Sequence, residues 1–380
     1  MTAFKQIDCG GSHYEMGKAQ GEALKENIRE SVSHFLASEV AKAAGKRFAA
    51  AGSSLFKVAG KISRTAMKLS STDCQREWRG RLEGIADGAG LDRSLLTGLQ
   101  SLEAFLAFPL GMSGCTTVGI TAGRSAGEGP LLLKNYDIAE LLRPSTFMRC
   151  SLPAGKLRSF EMAVNVLPGS HVVMNEAGLC ISYNFGMVRF MPRPGTVPTY
   201  ITQYAAENFS TTAQVVEWVA GEKSASGCIL TVLDAGSDLR VIEKAGGKTA
   251  TRGPIEGVTV ATNHFLTPGL APLDYSVKTV FGRRAPPAVR GMSVQLSNET
   301  RLTRALELLK EGGGAAVSTM RLFEISRDHS GRPAGSENTI CRHHEAMMTL
   351  GSIVLAPLSG KAWVCAGSPC EGRFEEIKVF

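Results

Sequence analysis

The chain has 380 residues, 43% of them hydrophobic and 20% charged, with a formal net charge of +7. This composition suits a globular protein with a sizeable core and excludes a disordered or collagen-like chain. The positive charge is diffuse and not interleaved with aromatic residues, so nucleic acid is not an expected partner.

Residues 13–37 carry acidic and basic side chains on alternating turns, as in an exposed helix. Lys42, Lys46, Arg47, Lys57, Lys61, Arg64 and Lys68 follow at roughly helical spacing. They read most simply as a solvated helix face, with an anion-binding face for CoA phosphates as the alternative. Residues 74–89 and 95–106 continue the helical pattern, and Pro109 and Gly111 end it.

From Cys115 onward the segments become short and β-branched or alternating. They are 116–121, 130–137, 171–178, 179–186, 228–236, 239–246 and 258–265, with Gly, Asp or Asn between them, as in antiparallel hairpins. Helical stretches at 200–220 and 300–311 interrupt, and strands resume at 347–358, 361–365 and 374–380. The order predicts an α+β fold with helices segregated from antiparallel sheets. No repeat or low-complexity linker divides it, so residues 1–380 read as a single domain.

Nine cysteines are scattered without a CxxC pair, which argues against a zinc ribbon and for reduced thiols in a cytoplasmic protein. No run of 18 apolar residues occurs and the N-terminus has no signal-peptide core, so no membrane association is expected. Met112-Ser113-Gly114-Cys115 has the look of a lipobox but lies deep in the chain, away from any signal peptide. Asp328-His329 and Arg342-His343-His344 raise the question of a metal. Neighbouring histidines on a strand point to opposite faces, however, so neither a metal site nor a cofactor is expected.

Cys115, in GMSGCTTVGI, reads most simply as a small packed hydrophobe, with a catalytic role as the alternative. A catalytic cysteine requires a base, and no local signature pairs it with any of the seven histidines. A cut between Gly114 and Cys115 would solve this, because the new α-amine, with an ordinary pKa of about 7.7–8.0, can take the thiol proton. The strand at 116–121, the loop AGRSAGEGP and the strand ending at Asp137 form a hairpin that returns this carboxylate toward the Cys115 end.

GCTTVG, KNYD, MNEAGLCISYN, ATNHF, RDHSGRPAGSENTICRHH and LGSIVLAPLSGKAWVCAGSPC, in this order, resemble the acyl-CoA:6-aminopenicillanate acyltransferase family of N-terminal-nucleophile hydrolases. GGSHYEMGKAQGEALKENI and EWRGRLEGIADGAGLDRSLLTGLQSLEAF extend the resemblance over nearly the whole chain. It implies a four-layer αββα sandwich, made as a precursor and cut into an α-chain of residues 1–114 and a β-chain of residues 115–380 that stay associated. It implies Cys115 as nucleophile, with its α-amine as base and Asp137 beside that amine. Asn263 is then the oxyanion donor, Asn175 a second polar group near the scissile amide, and Arg301 an active-site arginine, with Arg304 competing for that role. His264 reads as structural. Gln203 departs from the family, whose members often carry a basic residue there, and Cys370 occupies a family position without an evident purpose.

The expected activity is hydrolysis of a linear amide through a Cys115 thioester. The alternatives are CoA-dependent N-acyl transfer, in which acyl-CoA is a substrate, and a silent scaffold with the same fold. The acyl pocket is expected from 183–198, whose FGMVRFMPRPG run is rich in Phe, Met and Arg. Oligomeric state is left open.

Overall fold

The computed structural model describes residues 3–37, 52–69, 72–106, 113–189, 195–283, 285, 287–311, 314–344 and 347–380. Two sheets stack face to face. The first has eight strands in the order β1 (Gln6–Gly11), β4 (Thr146–Pro153), β5 (Ser159–Val164), β6 (Val172–Asn175), β7 (Cys180–Gly186), β8 (Gly227–Leu233), β9 (Leu239–Ala245) and β10 (Lys248–Arg252). Only its edge pair, β1 with β4, is parallel. The second runs β11 (Val258–Ala261), β2 (Ser113–Ile120), β3 (Leu131–Ile138), β13 (Met347–Ala356), β14 (Lys361–Ala366) and β15 (Glu375–Lys378), with the short β12 (His343–His344) also on β13.

Side chains alternate across a strand, so each sheet sends every second residue inward. Met148, Phe160, Met162, Val172 and Met174 thus meet Cys115, Leu132, Tyr136, Ile353 and Leu355 between the sheets. On the outer face of the first sheet, Phe147 and Ala163 lie under α1 (His13–Ala23), α2 (Lys25–Ala37), α3 (Gly52–Leu69), α4 (Asp73–Ala89) and α5 (Arg93–Leu106). Farther along that face, α6 (Pro198–Asn208) and α7 (Thr212–Gly221) cover Ile181, Tyr183 and Leu230. On the outer face of the second sheet, α8 (Leu296–Lys310) and α9 (Thr319–Ser326) cover Val118, Ile120, Leu133 and Val354. Helix, sheet, sheet, helix is the four-layer αββα order of the expected α+β class. Among the described residues no helix is long and apolar enough to cross a membrane.

Helices α1 and α4 touch backbone to backbone. A Cβ at Gly17 would lie 2.0 Å from the Arg81 carbonyl oxygen, and one at Gly84 would lie 2.1 Å from that of Tyr14. Glycine is required there by proximity and not by backbone angle. Where α4 passes the first sheet it inserts Arg81, which is fully buried. Arg81 Nη1 donates to Glu207 Oε1 at 2.8 Å, and His13 meets Glu207 Oε2 at 2.7 Å. Gln203 Nε2 donates to both Glu161 and Glu207 at 2.7 Å, while its Oε1 accepts from Arg149 Nη2 at 3.1 Å. A neutral amide therefore bridges two buried ion pairs.

Three differences from the sequence reading have local causes. The stretch 200–220 is two helices, because Thr211 caps α7 with a reciprocal Thr211–Gln214 box. The strand expected at 171–178 stops at Asn175, where a turn with Gly178 at φ 76° begins. β4 and β5 went unread because Arg149 and Glu161 sit mid-strand. They are fully buried yet pair at 2.5 Å, so they do not mark a solvent face. Of the basic run, Lys42, Lys46 and Arg47 lie outside the described residues. Lys57, Lys61 and Lys68 are exposed on α3, and Arg64 pairs with Glu83 at 2.9 Å.

Candidate active site

The β2–β3 ladder sets the register of the site, with Gly114 opposite Asp137, Cys115 opposite Tyr136 and Thr117 opposite Lys134. Cys115 is 4% exposed and its side chain faces the space between the sheets. Lys134 lies on the same inward face of β3, near enough for its charge and that of a Cys115 thiolate to attract. Its Nζ donates to the Tyr183 carbonyl at 2.5 Å and to Asn184 Oδ1 at 3.3 Å. Burial lowers the Lys134 pKa from its ordinary value, against the pull of Cys115.

Outside the β2–β3 ladder, the backbone of Cys115 is held by side chains from three other pieces of chain. β11 ends at Ala261, opposite Thr117, so it offers no strand partner to the Cys115 N–H. The Asn263 side chain replaces it, with Oδ1 accepting from Cys115 N at 2.8 Å while Nδ2 donates to the Phe185 carbonyl at 2.9 Å. From α8, Arg301 reaches the outer face of β2, and its Nη1 donates to the Cys115 carbonyl at 2.7 Å and to Thr116 Oγ1 at 2.9 Å. Its Nη2 donates to Asn298 Oδ1 at 2.8 Å and Asn263 Oδ1 at 3.3 Å. Burial and the neighbouring Arg342 pull Arg301 down to about 10, so it remains cationic at neutral pH.

Asp137 lies on that same outer face. Its Oδ1 accepts from Thr349 Oγ1 at 2.7 Å. Its Oδ2 is 3.6 Å from Arg342 Nη1 and 3.8 Å from Arg301 Nη1, and has no hydrogen-bond partner among the described residues. A buried carboxylate oxygen between two guanidinium groups, beside Gly114, is positioned to accept one further donor.

The structure thus brings Cys115, Asp137, Asn263 and Arg301 together and leaves Asn175 out. Asn175 Nδ2 donates to the Ala206 and Phe209 carbonyls at 2.8 Å, and its Oδ1 caps the β6–β7 turn through Ala177 N and Leu179 N. All of its polar side-chain atoms are engaged in holding that turn to α6. The asparagine on the Cys115 backbone carbonyl is Asn184, whose Nδ2 donates to it at 3.3 Å and to the Ala261 carbonyl at 3.0 Å. Arg304 points away from the site and pairs with Asp328 at 2.9 Å. His264 meets Thr262 Oγ1 at 2.9 Å, and burial with the nearby arginines holds it neutral, down to about 4. His171, packed on Tyr136, is held down to about 3 by burial and then by Lys134. Both are poor proton acceptors. Residues 190–194 of the expected acyl pocket lie outside the described residues.

Sequence reasoning missed Lys134, Asn184, Thr349 and Arg342. The first two had a signal, a lysine and an asparagine inside the otherwise apolar strands LLLKNYDI and CISYNFG. Arg342 had none.

A buried cysteine near a strand start, its backbone held by polar side chains from three elements on a two-sheet αββα scaffold, is the candidate nucleophile of this site. Residues 124–371 match the family described as acyl-coenzyme A:6-aminopenicillanic acid acyl-transferase, and the chain belongs to this family. The match begins after β2 and does not include Cys115. A search of curated proteins gave no match.

Solved structures similar to this chain include a Caenorhabditis elegans N-acylethanolamine-hydrolyzing acid amidase ortholog, at 14% identity and TM-score 0.44, over 64% of this chain and 93% of that one. A mutant conjugated bile acid hydrolase from Clostridium perfringens is 13% identical with TM-score 0.43, over 70% of this chain and 96% of that one. Penicillin V acylase from Agrobacterium tumefaciens is 13% identical with TM-score 0.36, over 67% and 76%. At that level the likeness bears on neither reaction nor substrate.

Proposed function

We propose that this protein is a self-processing cysteine amidohydrolase of the N-terminal-nucleophile type, cut between Gly114 and Cys115. The observation that carries the reading is the pairing of Gly114 with Asp137, whose Oδ2 is short of a donor at the point where a cut would create an ammonium.

In the cut itself, Cys115 Sγ attacks the Gly114 carbonyl carbon. The C–N bond gives way to a thioester, and the nitrogen takes the thiol proton and leaves as the Cys115 α-amine. Water then hydrolyses the thioester, leaving Gly114 as a carboxylate. The α-amine, beside Asp137 and Asn263, becomes the base for later turnovers. In each turnover the thiolate attacks a substrate amide, and Asn263 Nδ2 offers its second N–H to the oxyanion. A donor of this kind contributes roughly 2.7–4 kcal/mol to lowering the barrier. The ammonium protonates the leaving amine, and water resolves the acyl-enzyme.

After such a cut, residues 1–114 and 115–380 have reason to stay associated. β1 pairs with β4 across the two pieces, and buried Arg81 pairs with Glu207. Acyl transfer from acyl-CoA to an amine is the second reading, and family membership favours it.

Intact mass and N-terminal sequencing test the first claim: a new N-terminus at Cys115 is expected, and a wild-type chain that stays whole on prolonged incubation overturns it. Incubating the matured protein with amides, or with acyl-CoA and amines, separates the reactions, since free acid marks a hydrolase and acyl amide a transferase. A chain that neither cuts nor labels at Cys115 is a scaffold.

A further inference from the structure

Away from Cys115, the segment behind β12 gathers two thiols and two imidazoles. Cys341 Sγ is 3.4 Å and Cys370 Sγ 3.3 Å from His343 Nε2. The His329 and His343 rings stand edge to face with centroids 5.0 Å apart. One ligand atom from each of His329, Cys341, His343 and Cys370 lies within 4.8 Å of all the others. His329 Nε2 is buried without a hydrogen-bond partner among the described residues.

We propose that these four side chains form a structural Zn²⁺ site of the Cys2His2 type. With Zn–S of about 2.3 Å and Zn–N of about 2.0–2.1 Å, a tetrahedral site has sulfur–nitrogen edges of about 3.5 Å. The two measured sulfur–nitrogen separations already match, and the remaining atoms need to close by about an ångström. Two soft thiolates with two imidazoles select zinc over the hard cations. Binding converts two thiols to thiolates and releases two protons, so affinity rises with pH. Four protein ligands close the coordination shell, which makes the ion structural and not catalytic.

The surroundings fit this assignment. A Cβ at Gly335 would lie 2.4 Å from His343 Cδ2 and 3.1 Å from His329 Cδ2, so the loop can pass over both rings only as glycine. The ligands come from separate pieces of chain: His329 from just after α9, Cys341 and His343 from the approach to β13, and Cys370 from the turn after β14. A bound ion would tie these pieces together. Cys341 and His343 are two apart on an extended segment and share a side, which sends Arg342 the other way, toward Asp137 and Gly114. The ion would therefore anchor the segment that carries Arg342. By contrast, the cluster of His13, Glu77 and Glu207 is already neutralised by Arg81 and Lys156 and reads as an ion-pair network.

The test is metal analysis of the full-length protein, purified without an affinity tag under reducing, anaerobic conditions. About one equivalent of zinc per chain should survive gel filtration. Cobalt(II) exchanged into the site should show the intense ligand-field bands of a tetrahedral ion and thiolate-to-cobalt charge transfer. Cys370→Ser and His329→Ala should each lose the zinc, weaken the cobalt spectrum and lower the melting temperature by several degrees. Reduced wild-type protein that takes up neither ion overturns the proposal, as does a Cys341–Cys370 disulfide found by peptide mapping of the anaerobic sample. Because the readout is bound metal, this outcome is independent of whether the chain cuts at Cys115.

Discussion

Arg342 lies against Gly114 so closely that a Cβ built at residue 114 would fall 1.9 Å from its Nη1. The same guanidinium pairs with Glu337 and sits 3.6 Å from Asp137 Oδ2. A side chain at position 114 would therefore have to push this buried guanidinium aside. Gly114→Ala should displace Arg342 and slow self-cleavage by roughly tenfold or more, the effect of about 1.4 kcal/mol on a barrier. Adding Arg342→Met, which removes the forked head group, should restore part of the space but not the charge. Band shifts on denaturing gels against time provide the measurement. A Gly114→Ala chain that matures at the wild-type rate would contradict this reading of the contact.

Lys134 places a buried cation on the same face as the thiol that is proposed to act in both maturation and turnover. Lys134→Met keeps the volume but removes the cation and its hydrogen bonds to the Tyr183 carbonyl and Asn184 Oδ1. Self-cleavage and Cys115 alkylation should both slow by roughly ten- to a hundredfold. Wild-type alkylation kinetics in this variant would exclude Lys134 from activating the thiol.

Asn184 and Asn175 should separate by phenotype. Asn184→Ala removes a donor to the Cys115 and Ala261 carbonyls and an acceptor for Thr117 and Lys134, so it should slow cleavage of the folded fraction as well as lower the melting temperature. Asn175→Ala breaks four hydrogen bonds of a buried turn and should cost about 2–4 kcal/mol while leaving the cleavage rate of the folded fraction intact. Equal cleavage defects in the two variants would return Asn175 to the site.

Glu207 should give the protein an acid-sensitive step. Burial alone would raise its carboxyl, but hydrogen bonds from His13 and Gln203 and the charge of Arg81 hold it down at about 2. Its folded pKa lies below the unfolded value of 4.5, so its contribution is complete above that value and is lost as pH falls toward 2. The loss amounts to roughly 3 kcal/mol between those limits. Glu207→Gln should be less stable at neutral pH, with the gap to wild type closing on acidification. Urea midpoints measured across this range check the sign, and a gap that widens in acid would refute it.

The fold class was legible because alternation and helical period survive in most segments, and Cys115 stands out as a candidate because a short glycine-rich approach leads into its strand. Arg149 and Glu161 hid two strands, since sequence shows charges but not that they cancel at 2.5 Å inside the protein. Asp137 could be placed from the hairpin alone, since its partner is local in the chain. Arg342 and Asn184 could not, because they meet Cys115 and Gly114 only when separate strands and loops converge. The same holds for His329, Cys341, His343 and Cys370. Neighbouring histidines on one strand diverge, and the sequence reading stopped there, whereas the partners that share a face with His343 lie two residues before it and on distant turns. Sequence by itself determined the chemistry available and its local register. Tertiary structure decided which charges neutralise, which asparagine reaches the Cys115 backbone and which thiols meet, because long-range contacts depend on how the two sheets and their loops stack.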